Sequence, residues 1–293
     1  MVNKKSFAVV GGDARQIAMA KSILSDGHDV YLAGFEKSEL KEGLVESTLE
    51  RVIEKSEYVI LPVPTVSKNG YLNAPSSNEK IAFDDDFAGK MYGKKVFCCM
   101  AEHLIFTSKI WQNIELFDYA KRDDFAIRNA VPTAEGAIEI AMREFCGTIH
   151  GSRCLVTGFG RVGKVLCTVL SGLGAKVTAS ARKSEDLAWI SILGYEPILT
   201  SECMQKANFD LIFNTIPSLI FDEKTLLQLN PNTIIIDLAS LPGGVDFNVA
   251  KKLGLKAIHA IALPGKIAPK TAGEIIKITI YNMIEEEHLK LKS

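Results

Sequence analysis

The chain has 293 residues, 47% of them hydrophobic, with 34 Lys and Arg against 35 Asp and Glu and a formal net charge of −1. That length exceeds the usual single domain and predicts two, while the balanced charge, with no long run of one sign, argues against nucleic acid or a membrane surface as a partner. The N-terminal stretch passes from Lys4 and Lys5 straight into a short apolar run and a polar turn, which is neither a signal peptide nor a membrane span.

In chain order, Phe7–Val10 reads as a strand and Ala14–Ser25, with apolar residues at helical period, as a helix. The turn between them, VGGDARQ at Val10–Gln16, looks like a nucleotide turn but lacks a glycine at its third position. Asp13 would also point negative charge at a pyrophosphate, so one nucleotide is expected, not two. Arg15, at the helix start, is suited to gripping a carboxylate with help from the helix dipole; a plain ion pair with Asp13 is the alternative. Asp29–Ala33, Tyr58–Val63 and Val96–Met100 continue the strands. Pro64–Lys90, rich in turn residues, reads as a flap over a cleft, an excursion at a sheet edge or a surface loop.

From Lys121 to Gly136 the run KRDDFAIRNAVPTAEG gathers cations, an amide, a hydroxyl and carboxylates, a natural place for a small anionic substrate. Pro132–Phe145 predicts a long helix that begins at its proline. Leu155–Gly158, Lys176–Ala179, Leu211–Thr215, Thr233–Leu238 and Ala257–Ile261 then repeat the strand rhythm. The fold class expected is α/β: two Rossmann-like domains with parallel sheets, joined by long helices around a cleft.

GFGRVG at Gly158–Gly163 lies between a strand and a helix. Gly158 allows the tight turn, Gly160 the approach of phosphates, and Gly163 close helix packing; Arg161 and Val162 complete the cradle. An NAD site calls for a carboxylate about 20 residues further on. Ser180, Arg182 and Lys183 stand there instead, which suits a 2′-phosphate and predicts NADP. Asn214, Thr215 and Pro217, then Asp237 and Ala239, follow two later strands at the edge where such sheets bind ligands, and are assigned to the cofactor. Leu263–Gly273 combines two prolines, two glycines and the lysines Lys266 and Lys270 before a helix over Thr271–Lys290. The domains expected are residues 1–130, binding substrate and carrying catalysis, with 275–293 returning to them, and 131–274, binding NADP. Six cysteines without a CxxC pair read as buried reduced thiols, and the five scattered histidines offer no metal cluster.

These stretches resemble the dipicolinate synthase A-subunit family of spore-forming bacteria. The resemblance rests on GGDARQ at Gly11–Gln16, RDDFAI at Arg122–Ile127, PTAEG at Pro132–Gly136, IHGS at Ile149–Ser152, GFGRVG, NTIPS at Asn214–Ser218, DLASLPGGVDF at Asp237–Phe247 and LPGKIAPKTAG at Leu263–Gly273. It implies an architecture similar to the formate/glycerate dehydrogenase and S-adenosylhomocysteine hydrolase group. It also implies an enzyme that works with a smaller, flavoprotein-like B subunit in the mother-cell cytoplasm during sporulation, oxidising dihydrodipicolinate to dipicolinate. On that reading Arg15, Lys270 and Arg122 or Arg128 neutralise the two substrate carboxylates, Asn129 and Thr133 orient the ring, and Glu135 or Asp124 takes the proton. His259, inside an apolar strand, is the only histidine near the loop where hydroxy-acid dehydrogenases place theirs, which favours chemistry at a C–H bond over alcohol oxidation. The alternatives are an NADP-dependent dehydrogenase of another amino or imino acid, and a non-catalytic NADP-binding protein that supports the B subunit. An oligomer is expected.

Overall fold

A computed structural model of the chain describes residues 4–67, 69–203 and 208–290. Their strands form two six-stranded sheets, parallel throughout. The first contains β1 (Ser6–Val10), β2 (Asp29–Ala33), β3 (Val45–Glu46), β4 (Tyr58–Ile60), β5 (Lys95–Cys98) and β6 (Glu115–Asp118), in the order β3-β2-β1-β4-β5-β6. The second contains β7 (Arg153–Thr157), β8 (Lys176–Ala181), β9 (Glu196–Leu199), β10 (Leu211–Asn214), β11 (Ile234–Asp237) and β12 (Lys256–His259), in the order β12-β11-β10-β7-β8-β9. Both are the same doubly wound pattern, with strand order reversing between β1 and β4 and between β7 and β10. Residues up to Arg128 with those from Ala268 onward form one compact unit, and Asn129–Ile267 the other.

Each sheet is buried on both faces, which is why its strands read as continuous apolar runs rather than alternating ones. In the first unit Phe7 and Val9 face a core with Ile17, Ile23, Ile276 and Ile280, while Ala8 and Val10 face Leu61, Phe87 and Trp111. In the second, Cys154 and Val156 pack with Leu166, Leu170 and Ile138, and Leu155 with Ile212, Leu226 and Ile235. Five of the six cysteines are buried, and none is in a disulfide. Desolvation pushes the Cys154 thiol up to about 11 and the Cys167 thiol to about 12, so they stay protonated at neutral pH.

Three edge strands, β3, β6 and β9, escape the sequence reading because all are short and none has a continuous buried apolar run. The connecting helix is also corrected: it runs from Asp123 to Glu144, with Pro132 inside it rather than at its start. A proline there withholds one backbone donor at a cost of about 3 kcal/mol. The helix continues because Ala134, Ala137, Ile138 and Ala141 form a buried face, and the Thr133 hydroxyl donates to the Asn129 carbonyl at 2.7 Å. The stretch after Val63 folds back on its own unit, where Leu72 and Phe83 enter the core and Leu72 donates its amide to the Ile81 carbonyl.

The C-terminal helix, Pro269–Lys290, lies along the helix Ala14–Ser25 and is tied down by charge. Arg122 donates from Nη1 and Nη2 to Glu286, both at 2.7 Å, and from Nε to Asp124 at 3.0 Å. Asn282 donates to Asp124 at 3.0 Å, and Lys277 and Tyr281 both meet Asp26. The Arg122 guanidinium, followed by the Asn282 amide, holds the Asp124 carboxyl down at about 2 against the desolvation of its site. A depressed carboxyl stabilises the fold fully above its unfolded pKa and loses that contribution as pH falls from about 4 toward 2. Urea melts at pH 6 and pH 3 are expected to show about 1–2 kcal/mol of acid-sensitive stability that Asp124→Asn removes. An unchanged acid slope in that variant would count against the pairing.

Candidate functional site

In the second unit the chain leaves β7 through Gly158, whose φ of +90° suits glycine. Its amide donates to the Ser180 carbonyl at 3.1 Å, fixing the turn against β8. A Cβ on Gly158 would stand 2.6 Å from Thr215 Oγ1, and one on Gly163 only 2.0 Å from the Gly158 carbonyl oxygen. Gly160 is different: a Cβ there meets no protein atom within 4 Å. It is the N-cap of the helix Arg161–Gly172 and supplies no side-chain cap. The first amides of that helix, and the positive end of its dipole, are therefore left to a ligand or to water. Arg161 is exposed at the rim, and Val162 packs against the core.

Arg182 and Lys183 follow β8 and are both exposed. Arg182 lines a cavity of about 730 Å³ with Leu199, Thr200, Ile220, Lys224 and Gln228. Ser180 does not reach it: the side chain is fully buried, and its hydroxyl lies 3.3 Å from the Gly158 amide and 3.2 Å from Thr200 Oγ1. The hydroxyl expected on a 2′-phosphate is thus a brace for the glycine turn.

Asn214 and Asp237 need the same correction, since both are fully buried and satisfied within the protein. Asn214 Oδ1 accepts from Thr157 Oγ1 at 2.6 Å, and its Nδ2 donates to Asp237 Oδ1 at 2.8 Å and the Ile216 carbonyl at 3.1 Å. Asp237 also accepts from the Ala239 amide at 3.1 Å and the Gly244 amide at 2.9 Å. This network links the ends of β7, β10 and β11 and shapes the loops that follow. Thr215 joins it by donating to the Thr157 carbonyl at 2.8 Å, Ala239 is buried, and Pro217 is exposed on the loop.

The first unit repeats the topology but closes its own switch point. Gly11 and Gly12 have positive φ, yet a Cβ on Gly11 would strike Leu72 at 2.8 Å and one on Gly12 would strike Gln16 at 2.5 Å. Asp13 and Gln16 form a reciprocal cap on the helix Ala14–Ser25, using the very amides a phosphate requires. Arg15 is 8% exposed. Its Nε and Nη2 donate to Asp13 at 2.9 and 2.8 Å, and Nη2 also donates to the Val63 carbonyl just beyond β4. The ion-pair alternative therefore describes most of this guanidinium, and Nη1 alone makes no hydrogen bond among the described residues.

Lys270 lies in the first turn of the helix Pro269–Lys290 and lines a groove of about 540 Å³ with Ala14, Ile17 and Lys21, a groove that Arg15 does not line. Arg122 and Asp124 are corrected as site residues. The guanidinium is taken by two carboxylates, and a carboxyl held at about 2 is a poor base at neutral pH. Arg128, Asn129, Thr133 and Glu135 all lie on the helix Asp123–Glu144, where Arg128 and Glu135 are exposed. Lys224, Thr200 and Gln228 were not foreseen: their place in the cavity depends on β9 and on a four-residue helix, Glu223–Leu226, that no periodicity announces. Among the described residues there is no group of three metal-ligating side chains, and no helix is long and apolar enough to cross a membrane.

A family model described as the N-terminal domain of the dipicolinate synthase A subunit matches residues 6–120. Over 290 residues, 98% of this chain and 98% of the other, the sequence is 35% identical to the dipicolinate synthase A subunit of Bacillus subtilis (strain 168). The chain belongs to the dipicolinate synthase A-subunit family. The crystal structure of the family member from Bacillus halodurans is 33% identical, with a TM-score of 0.87 and coverage of 97% of this chain and 98% of that one. The crystal structure of the Bacillus subtilis member is 34% identical at a TM-score of 0.86, covering 99% of each. A transhydrogenase from Sinorhizobium meliloti, 15% identical at a TM-score of 0.68 over 96% and 94% of the two chains, shares the two-domain dehydrogenase-like fold and shows the fold alone.

Proposed function

We propose that this chain is an NADP-dependent oxidoreductase that converts dihydrodipicolinate to dipicolinate together with a B subunit, in the mother-cell cytoplasm of a sporulating cell. The observation that carries the reading is the likeness to a dipicolinate synthase A subunit, which runs along 98% of both chains. The second unit supports the cofactor assignment: Gly160 leaves room for phosphates, a helix N-terminus faces that room, and the cavity beside β8 carries Arg182 where an NAD site needs a carboxylate. The roles expected of 1–130 with 275–293 (substrate) and of 131–274 (NADP) are proposed for the compact units, which divide at Arg128/Asn129 and Ile267/Ala268.

The cofactor, when bound, supplies a two-electron acceptor at its nicotinamide. The chain's own residues then have three tasks: neutralising two carboxylates, orienting the ring and holding a base. Arg15, braced through Nε and Nη2 with Nη1 remaining, and the exposed Arg128 and Lys270 are the cations proposed for the carboxylates. Thr133, whose hydroxyl donates to the Asn129 carbonyl, and the Asn129 side chain orient the ring. Glu135, an exposed carboxylate, is the base that remains once Asp124 is set aside. Aromatisation of the ring makes proton loss favourable, so a carboxylate is a sufficient acceptor.

Purified chain with its B subunit, NADP and dihydrodipicolinate is expected to produce the ultraviolet absorbance of the pyridine product. Absence of product with that substrate, alongside turnover of another imino acid, would overturn the reaction. In the same assay Glu135→Gln is expected to lower kcat about 100-fold with KM little changed. An equal loss in KM instead would make Glu135 a binding group.

A further inference from the structure

The cavity of the second unit holds a cation outside the sequence reading. Arg182 follows β8 and Lys224 sits on the short helix after β10, and these strands flank β7, whose turn carries the three glycines. Two positive charges thus reach one space of about 730 Å³ from opposite sides of the glycine turn. Neither makes an ion pair among the described residues. The carboxylate on the same wall, Asp222, serves as a helix cap, accepting the Thr225 amide at 2.9 Å. Among the described residues the balance is two cations outside any salt bridge against one anion, which caps the helix and also feels the Lys224 charge. Leu199 and Ile220 add apolar surface to the same wall, a combination suited to a flat base next to a doubly charged group.

We propose that Lys224 is a cofactor-specificity residue whose ammonium joins the Arg182 guanidinium on the 2′-phosphate of the dinucleotide. This rests on the reading of the second glycine turn as the NADP site. The guanidinium offers a planar fork and the ammonium a compact point charge, so together they can engage separate oxygens of a dianion. A neutral 2′-hydroxyl gains nothing from the second charge, so the lysine widens the gap between NADP and NAD without contacting the reacting ring.

The test is equilibrium binding of NADPH and NADH to the full chain, read by cofactor fluorescence, for wild type, Lys224→Ala, Lys224→Arg and Arg182→Ala. 2′,5′-ADP, 5′-AMP and inorganic phosphate serve as competitors. Lys224→Ala is expected to weaken NADPH and 2′,5′-ADP about tenfold while NADH and 5′-AMP change less than about twofold, with Lys224→Arg restoring most of the loss. Equal weakening of NADPH and NADH, or no change in either, would overturn the proposal. If Arg182→Ala erases the NADPH preference and Lys224→Ala does not, Lys224 is wrong and the NADP reading stands. A wild type without NADPH preference overturns both.

Discussion

Gly163→Ala is expected to destabilise the second unit by about 3 kcal/mol or more, lowering the Tm by roughly 10 °C. The new methyl carbon would lie 2.0 Å from the Gly158 carbonyl oxygen, a backbone atom held by the β7 turn, so relief requires moving the helix Arg161–Gly172 off its sheet. That helix buries Leu166, Cys167 and Leu170, and its displacement opens the core. Gly160→Ala is the matched control. Its Cβ meets no protein atom and its φ of −83° suits any residue. Its melting is expected to stay within about 1 °C of wild type while NADPH affinity falls about tenfold or more, because the methyl occupies the space a phosphate needs. Two glycines three residues apart thus separate a packing role from a binding role. Equal Tm values for the two variants, or undiminished NADPH binding by Gly160→Ala, would show that the turn is a structural feature only.

The same comparison explains why one chain with two sheets of identical strand order is read as holding one nucleotide. In the second unit the turn is kept open by glycine, and its helix has no side-chain cap. In the first, Leu72 lies over Gly11, Asp13 and Gln16 occupy the helix amides, and Arg15 reaches the chain beyond β4. Topology creates a crevice at both switch points, and side chains decide whether it is available.

The parallel architecture, the helix Ala14–Ser25 and the distinction between the two glycine turns were legible in the sequence, because each rests on local periodicity or on glycine spacing. The long helix was misjudged at its start because Pro132 is a local signal, whereas the buried face from Ala130 to Ala141 that overrides it is a tertiary one. Asn214 and Asp237 were placed at the correct sheet edge with the wrong role. Position along a strand says which edge a residue occupies, but only the pairing of β7, β10 and β11 shows that the two side chains bond each other. Arg122 meets the same limit, since only the folded chain shows Glu286 beside it, whereas for Arg15 the neighbouring Asp13 makes the ion pair legible as the alternative. Lys224 stayed hidden for the opposite reason, since nothing in its own neighbourhood distinguishes it from a solvated surface lysine.

Asp237→Ala is expected to cost about 3–5 kcal/mol, since it removes the acceptor of three buried N–H groups: the amides of Ala239 and Gly244, and one Nδ2 hydrogen of Asn214, whose other hydrogen keeps the Ile216 carbonyl. Water cannot replace the lost oxygens easily, because Asp237 is fully buried and Asn214 lies directly against it. Asn214→Ala removes a partner of the same network, so the double variant is expected to lose about 1–2 kcal/mol less than the sum of the single ones. Urea melts of the four proteins measure that coupling, and strict additivity would break the proposed link between β10 and β11. The binding data carry a separate decision. If Asp237 only shapes the loops after β10 and β11, the fraction of Asp237→Ala that remains folded at low temperature keeps its NADPH affinity within about threefold, and the apparent loss on warming follows the melting curve. A direct cofactor contact would instead weaken NADPH at every temperature, including those where the variant is fully folded.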